Sequence, residues 1–385
     1  MIISQVKRWF YNIDSVSLSL LIIMMMIGAV LIMSAAPAVS ERISVAHSHF
    51  LYKHFLFLSI SIPLLLLFSS IPNSYIRYIA ILGFILLFIL MCLLPFIGEE
   101  TKGARRWIAV AGFSLQPSEI FKAFYAVIIA MILESEAIWS HKYMKFLLCC
   151  VLHSMVILLL IIQPDFGMTI LISAVTLSQM FVAGLPWLFI AILLCIMCFL
   201  GVGAYLTLPH VTKRIENFLS SGSGGDTHGY QVKQSVKSYI DGGIFGIGPG
   251  EGKVKYLLPD SHTDFIFAVA AEEMGALFCI VVVLIITAII IRGFFNILRL
   301  KDEFARYVAL AAIMYFAFQS IFNIGVTLHL FPTKGVTLPF ISYGGSSMLS
   351  FAILMGLYIN VTRSNKTLHI VQNIHIQDNV IQRVI

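Results

Sequence analysis

The sequence predicts an all-α polytopic membrane protein with about ten transmembrane helices and a long outer loop between helices 7 and 8. Three observations carry that reading. Of 385 residues, 59% are hydrophobic and only 11% charged, which leaves too little charge to solvate the outside of a water-soluble fold of this size. The apolar residues gather in runs of roughly 20, enough at 1.5 Å per residue to cross about 30 Å of hydrocarbon. The basic residues between the runs also alternate in density from one connection to the next, as expected of a chain that crosses a bilayer repeatedly.

The runs are 15–36, 54–72, 76–97, 117–135, 144–162, 167–184, 186–208, 264–292, 305–330 and 337–361. The first follows "QVKRWFYN" but is too long for a secretory signal and lacks a small-residue cleavage site before a soluble domain, so it is read as a retained helix. Placing the N-terminus inside puts Lys7, Arg8, Arg77, Lys142, Lys145, Arg292, Arg299, Lys301, Arg306, Arg363 and Lys366 inside. The short outward connections then hold fewer basic residues: Arg42, Lys53, Lys102, Arg105, Arg106 and Lys334. Both termini are therefore expected in the cytoplasm, with the chain in the cytoplasmic (inner) membrane. It is read as one integral membrane domain, 1–385, with 209–263 as a long extracytoplasmic loop and 363–385 as a cytoplasmic tail. The six cysteines all lie within apolar runs, and Cys195 and Cys198 match C-x-x-C by letter alone; packing is the expected role.

Nearly all the unusual sequence falls in four outward connections: 97–119, 163–167, 209–263 and 331–347. Within 209–263, "SSGSGGD" has the composition of a flexible linker. "YQVKQSVKSYI" then places Val232, Val236, Tyr239 and Ile240 at helical spacing, predicting a short amphipathic helix at the interface with Lys233 and Lys237 toward headgroups. "GGIFGIGPGEGK" holds six glycines. It is no P-loop, because Gly252-Lys253 is followed by Val254, and it does not fit G-x-G-x-x-G. It is either a loop needing positive φ or a backbone wall along which a bulky polar substrate slides.

Ionisable residues at the edges of hydrocarbon are costly and so are candidates for function. Asp264 stands where an apolar run begins, expected at a helix start with Thr263 or Ser261 as cap. Glu272 and Glu273 lie roughly 12 Å deeper along that helix, so at least one must point into the protein and find a donor or cation. Glu119 and Lys122, at i and i+3, can pair with each other. Arg105 and Arg106, beside Trp107, either snorkel to headgroups or grip a phosphate. Asp165 of "QPDFG" is a cap or a metal ligand with equal ease.

"GARRWI", "QPSE", "QPDFG", "YQVKQS", "LPDSHTDFIFAVAAEEMG" and "PTKGVTLPFISYGGSS" follow one another in order. With these motifs the chain resembles the SEDS family (shape, elongation, division, sporulation), the FtsW/RodA/SpoVE group, over essentially its whole length. "GARRWI" and "TKGVTLPFISYGGSS" are most similar to the FtsW, or division, branch. The resemblance implies a ten-helix peptidoglycan glycosyltransferase that polymerises lipid II at the outer membrane face. It makes Asp264 the catalytic residue. Arg105, Arg106, Lys122, Lys334, Gln163, Asp165, Ser342 and Ser346 are then expected to bind substrate, with Glu119, His262, Glu272 and Glu273 in support. A divalent cation, Mg2+ or Mn2+, is compatible with a diphosphate donor. The implied partners are a class B penicillin-binding protein, other division proteins and membrane lipid, with no nucleic acid. The competing readings are a lipid II flippase, the elongation (RodA-like) member of the same family, and a non-catalytic division scaffold.

Overall fold

The computed structural model describes residues 13–101, 104–110, 112–134, 143–207, 227–331 and 335–363, together with Trp9, Thr212 and Glu216. Lys7, Arg8, Lys102, Lys142, Lys334, Lys366, the "SSGSGGD" linker and all of the 363–385 tail but Arg363 lie outside the described residues.

In chain order the helices are α1 (Ser15–Arg42), α2 (His49–Ser70), α3 (Asn73–Ile97), α4 (Pro117–Glu134), α5 (Met144–Ile162), α6 (Phe166–Val182), α7 (Trp187–Thr207), α8 (Thr227–Gly242), α9 (Val254–Leu257), α10 (Ile266–Leu298), α11 (Glu303–Thr327) and α12 (Gly345–Arg363). By length and composition α1, α2, α3, α5, α7, α10, α11 and α12 can each cross a membrane. The helix α6 is apolar but 17 residues long, and α4, of 18 residues, carries Glu119, Lys122 and Glu134.

The 97–119 connection, read from sequence only as a polar loop, is a small antiparallel sheet of β1 (Glu99–Thr101), β2 (Ala104–Val110) and β3 (Phe113–Leu115), in that order. The "RRWIAV" of β2 has the β-branched and aromatic content that favours a pleated surface. The turn into β3 uses Gly112 at φ 81°, a conformation cheap only for glycine.

The centre of the bundle is α11 and α12, whose membrane-crossing windows are 72% and 89% buried, against 17% for α3. The helix α11 packs on α4, α6 and α10. Its sequence explains why it is internal: Gln319, Asn323 and Thr327 recur at i, i+4 and i+8 and so share one face, and such groups are costly against lipid. All three are buried. Gln319 Nε2 donates to the Thr337 carbonyl and to Ser347 Oγ, each at 3.1 Å. Asn323 Nδ2 donates to the carbonyls of Asp264 (3.1 Å) and Val336 (2.7 Å). The Thr327 carbonyl accepts from Ser235 Oγ, and its hydroxyl pairs with Tyr239 Oη, both at 2.7 Å. One stripe thus ties down the loop after α11, the turn before α10 and the helix α8.

The glycine-rich segment has a structural job. The helix α10 is broken at Gly275, at φ 81° and ψ 177°, and residues 243–248 splice into the break. The N–H groups of Ala276 and Leu277 donate to the carbonyls of Gly243 and Ile244, while Ile247 and Gly248 donate to the carbonyls of Glu272 and Glu273. Close approach demands glycine here: a Cβ on Gly246 would meet the Glu273 carbonyl oxygen at 2.2 Å. The sliding-wall reading of this segment is thereby corrected, since none of its residues lines the cavity described below.

Both Glu272 and Glu273 point into protein, each 1% exposed. Glu272 accepts from the N–H groups of Lys253 and Val254. Glu273 accepts from Lys255 Nζ (2.8 Å), Ser34 Oγ and Gly250 N–H. At the far end of α1 a second cluster joins α1, α10 and α12: Asp14 accepts from Arg292, Asn296 and Ser17, and Asn296 also donates to Tyr358 Oη. Burial alone would raise the Asp14 carboxyl, but these bonds hold it down at about 2.

Removing one partner of a buried pair strands the other, at about 3–5 kcal/mol, whereas a half-exposed pair contributes about 0–1 kcal/mol. Lys255→Met, with its pair 3% and 0% exposed, is therefore expected to lower the melting temperature in detergent by many degrees. Arg77→Met, whose pair with Glu134 is 43% and 26% exposed, is expected to move it by a degree or two at most, by roughly the ratio of those energies.

Candidate active site

Five connections, each following an odd-numbered apolar run of the sequence, meet at a cavity of about 480 Å3, within the usual range for small-molecule sites. The segment after α1 and the first turns of α2 contribute Phe50 and Lys53; the sheet contributes Arg106, Trp107 and Phe113; the turn before α6 contributes Asp165. The segment between α7 and α10 contributes Gln231, Asp260, Thr263 and Asp264, and the segment after α11 contributes Gly335, Thr337, Tyr343 and Ser346. The polar motifs of the sequence therefore share one end of the bundle.

Asp264 lies in a turn two residues ahead of α10, not at its cap. The N-cap is Phe265, with no side-chain cap bond, and Thr263 Oγ1 donates instead to the Asp260 carbonyl at 3.3 Å. What fixes the turn is a clamp on three consecutive carbonyls. That of His262 accepts from Tyr343 N–H at 2.8 Å, that of Thr263 from Ser342 Oγ at 2.6 Å, and that of Asp264 from Asn323 Nδ2 at 3.1 Å. Across from the carboxylate, Gly335 at φ 66° brings backbone close enough that a Cβ there would lie 3.7 Å from Asp264 Oδ2.

Of the two adjacent arginines, only Arg106 reaches the cavity. Successive residues of a strand point to opposite faces, so Arg105 turns away, donating to the Pro95 carbonyl and lying 3.6 Å from Glu100. Of the two arginines expected to bind substrate, the alternation leaves Arg105 off the cavity wall. Arg106 is braced by the carbonyls of Gln163, at 2.9 Å, and Pro164, with Asp165 3.8 Å away. Gln163 itself is off the cavity wall: its Nε2 donates to the Met91 carbonyl, and its own carbonyl orients Arg106. Asp165 caps α6 through Met168 N–H and accepts from Gln116 Nε2 at 2.9 Å. Burial pushes its carboxyl above the ordinary range, against the pull of Arg106 and the Met168 N–H.

Lys122 is fully buried and does not line the cavity. Its Nζ sits 2.5 Å from Glu119 and 2.8 Å from Gln319 Oε1, whereas Glu119 does line the wall. Ser342 is also off the wall, its Oγ accepting from Leu338 N–H while donating to Thr263; it holds the turn. Ser346 is on the wall and accepts from Gln116 N–H at 2.8 Å. The His262 ring is packed between Phe50 and Tyr343, with centroids 4.7 and 5.2 Å away, and lies off the wall. Burial lifts the Tyr343 hydroxyl to about 12, so it stays protonated. Glu272 and Glu273 serve the glycine-rich segment, away from the cavity. Lys334 lies outside the described residues.

Sequence reasoning missed Lys53, Gln116, Gln319 and Asn323 as site residues. Lys53 Nζ donates to the Gly112 carbonyl at 2.9 Å, tying α2 to the sheet; its signal was a cation standing in an outward connection. The signal for Gln319 and Asn323 was two amides four residues apart inside an apolar run. Among the described residues no three His, Cys, Asp or Glu side chains converge to hold a metal ion. A hard cation here would thus take one or two carboxylates and complete its shell from a phosphate-bearing ligand.

Residues 14–367 match the model of the FtsW, RodA and SpoVE family, described as "Cell cycle protein". The chain belongs to this family. Among its relatives, a probable peptidoglycan glycosyltransferase FtsW of Caulobacter vibrioides is 35% identical, covering 92% of this chain and 90% of its own. The protein of the same name in Coxiella burnetii is 34% identical, covering 87% and 92%. A chain of a solved peptidoglycan synthase complex, described as coordinating polymerization and crosslinking, superposes with a TM-score of 0.78 at 25% identity, covering 92% of this chain and 98% of that one. The rod shape determining protein RodA of Thermus thermophilus shares the fold, with a TM-score of 0.68 at 24% identity over 92% and 97%. The fold class expected from sequence, a polytopic helical membrane protein, is that of the family.

If the carbonyl clamp is what holds the Asp264 turn, Asn323→Ala, which strands two part-buried carbonyls, is expected to speed amide exchange across 262–266 by about tenfold or more. Exchange in the inner half of α10 should be unchanged. Hydrogen exchange followed by mass spectrometry reads both.

Proposed function

We propose that this chain is a peptidoglycan glycosyltransferase that polymerises lipid II into β-1,4 glycan strands, releases undecaprenyl diphosphate and serves cell division. The observation that carries the reading is the meeting of Asp264, on a turn whose backbone is clamped, with the cations Arg106 and Lys53 in a single cavity at the end of a membrane bundle. The names of the FtsW relatives support the reaction and the division role.

The residue types suit the chemistry. A diphosphate leaves as a stable anion, so its departure needs cations rather than the second carboxyl acid of a glycosidase. Asp264 acts as general base, taking the proton of the acceptor sugar's 4-hydroxyl as that oxygen bonds to the donor's anomeric carbon. The bond from that carbon to the diphosphate oxygen breaks, inverting an α link into a β one. The clamp on residues 262–264 supports this role by fixing the carboxylate's approach in advance. The ring of His262, two residues before Asp264, packs against Phe50 and Tyr343 and lies off the cavity wall. Arg106, its fork braced by two carbonyls, and Lys53 stabilise charge on the diphosphate. A bound Mg2+ or Mn2+ would supply further positive charge to that leaving group.

We place the cavity on the outer face of the cytoplasmic membrane with both termini inside, and count α4 and α6 among ten spans. Their charges and short length are tolerable because they pack within the bundle: α4 buries Glu119 and Lys122. The likeness to a chain of a synthase complex supports a class B penicillin-binding protein as partner.

With labelled lipid II and purified protein, Asp264→Asn is expected to cut the polymerisation rate by about 10²–10⁴-fold while leaving the fold intact. A folded variant working at the wild-type rate removes Asp264 as base, and translocation of lipid II by the wild type without polymer would favour a flippase. Arg106→Ala is expected to lose at least about tenfold in donor use, and Arg105→Ala, an exposed partner of Glu100, about twofold at most.

A further inference from the structure

The segment joining α8 to the break in α10, with the end of α8 itself, presents an apolar crest that none of the described residues covers. Ile240 is 75% exposed, Ile244 65% and Phe245 80%, with Val236 and Ile247 also exposed. In water this would be an isolated greasy patch on a glycine-rich loop. Three features place it elsewhere.

The crest is continuous with the membrane-crossing surface. Leu277 N–H donates to the Ile244 carbonyl, so Ile244 abuts α10 where Leu277, Ile280, Val281 and Leu284 are exposed in turn. Its depth follows from helix length. Residues 276–298 alone measure roughly 35 Å at 1.5 Å per residue, enough to cross about 30 Å of hydrocarbon, so the break at Gly275 lies near the hydrocarbon edge. The crest's backbone is also suited to lipid, where unpaired N–H and C=O groups are prohibitive. The Gly243 and Ile244 carbonyls accept from Ala276 and Leu277, Gly246 N–H donates to the Gly242 carbonyl, and Ile247 and Gly248 donate into α10. One turn back on α8, Lys233 and Lys237 are exposed at i and i+4; Lys237 lies 3.9 Å from Asp241, the one charged residue among the apolar ones, which keeps that carboxylate at the headgroup level, and Lys233 is positioned for phosphate headgroups.

We infer that residues 240–247 are a re-entrant wedge whose occupant is the acyl-chain layer of the leaflet on the cavity side. This wedge seats α8 at the headgroup level and shields the Glu273–Lys255 pair, buried against the same loop. The inference concerns lipid contact and stands whether or not the chain polymerises glycan.

The test is depth-dependent fluorescence quenching. Wild type, which has four tryptophans, and Phe245→Trp are each reconstituted in phosphatidylcholine–phosphatidylglycerol vesicles, with and without lipids brominated on the acyl chain near the headgroup. The difference in emission isolates the added indole, and Ile240→Trp repeats the measurement at a second exposed position. The added indole is expected to be quenched at least about twofold by the brominated chains, consistent with burial of about 5–10 Å, and to be nearly untouched by aqueous iodide. Quenching by iodide would overturn the inference by putting the crest in water. Quenching by neither would overturn it too, because a second copy of the chain would then cover the crest.

Discussion

The architecture at the cavity depends on amide groups buried in a membrane-crossing helix. In α11, Gln319, Asn323 and Thr327 lie at the depth where the chain leaves its apolar environment, and none of them could face lipid cheaply. Each is bonded to a different element: the loop after α11, the turn before α10, and α8. The cost of leaving them unpaired, about 1–3 kcal/mol per group, is what selects one arrangement of three irregular segments over many. The geometry around Asp264 is therefore inherited from the membrane bundle and not from the loops themselves.

The same logic governs α10. A helix broken at Gly275 exposes N–H and C=O groups that hydrocarbon forbids, and the glycine-rich segment supplies the missing partners from its own backbone. Glu272 and Glu273 stand beside this splice and gather the N–H groups of residues 250–254. Their charge in a greasy run is thereby a staple for a loop. At the other end of the bundle the Asp14–Arg292 cluster joins α1, α10 and α12. Because Asp14 is held at about 2, below the ordinary aspartate value of 3.8, its stabilising contribution is complete above about pH 4 and disappears as pH falls through about 2.

Much of this was legible in the residues. Runs of hydrocarbon-spanning length marked the helices, and ionisable groups at their ends marked Asp264, Arg106, Asp165 and Glu119, which the fold gathers on one cavity. Other parts were illegible for physical reasons. Seven residues of β2 carry too short a pattern to separate a strand from a loop, and without the strand the opposite facing of Arg105 and Arg106 could not be seen. Lys122 and Ser342 resembled ligands because their chemistry suits one; the i, i+3 spacing already offered Glu119 to Lys122, but Gln319 and the Thr263 carbonyl are partners set by tertiary packing. Six glycines in twelve residues announced unusual backbone but not that it would be spliced into a helix some 30 residues later.

In the proposed reaction, Asp264 on its clamped turn and the cations of the same cavity divide the work on a lipid-linked sugar diphosphate. The most direct measurement is an experimental structure of this chain with a non-cleavable lipid-linked sugar diphosphate and an acceptor sugar bound. The account predicts the diphosphate oxygens against Arg106 and Lys53, and the acceptor hydroxyl within about 2.6–3.2 Å of an Asp264 carboxylate oxygen. A diphosphate seated away from Arg106, or a sugar that leaves Asp264 facing only solvent, would contradict it.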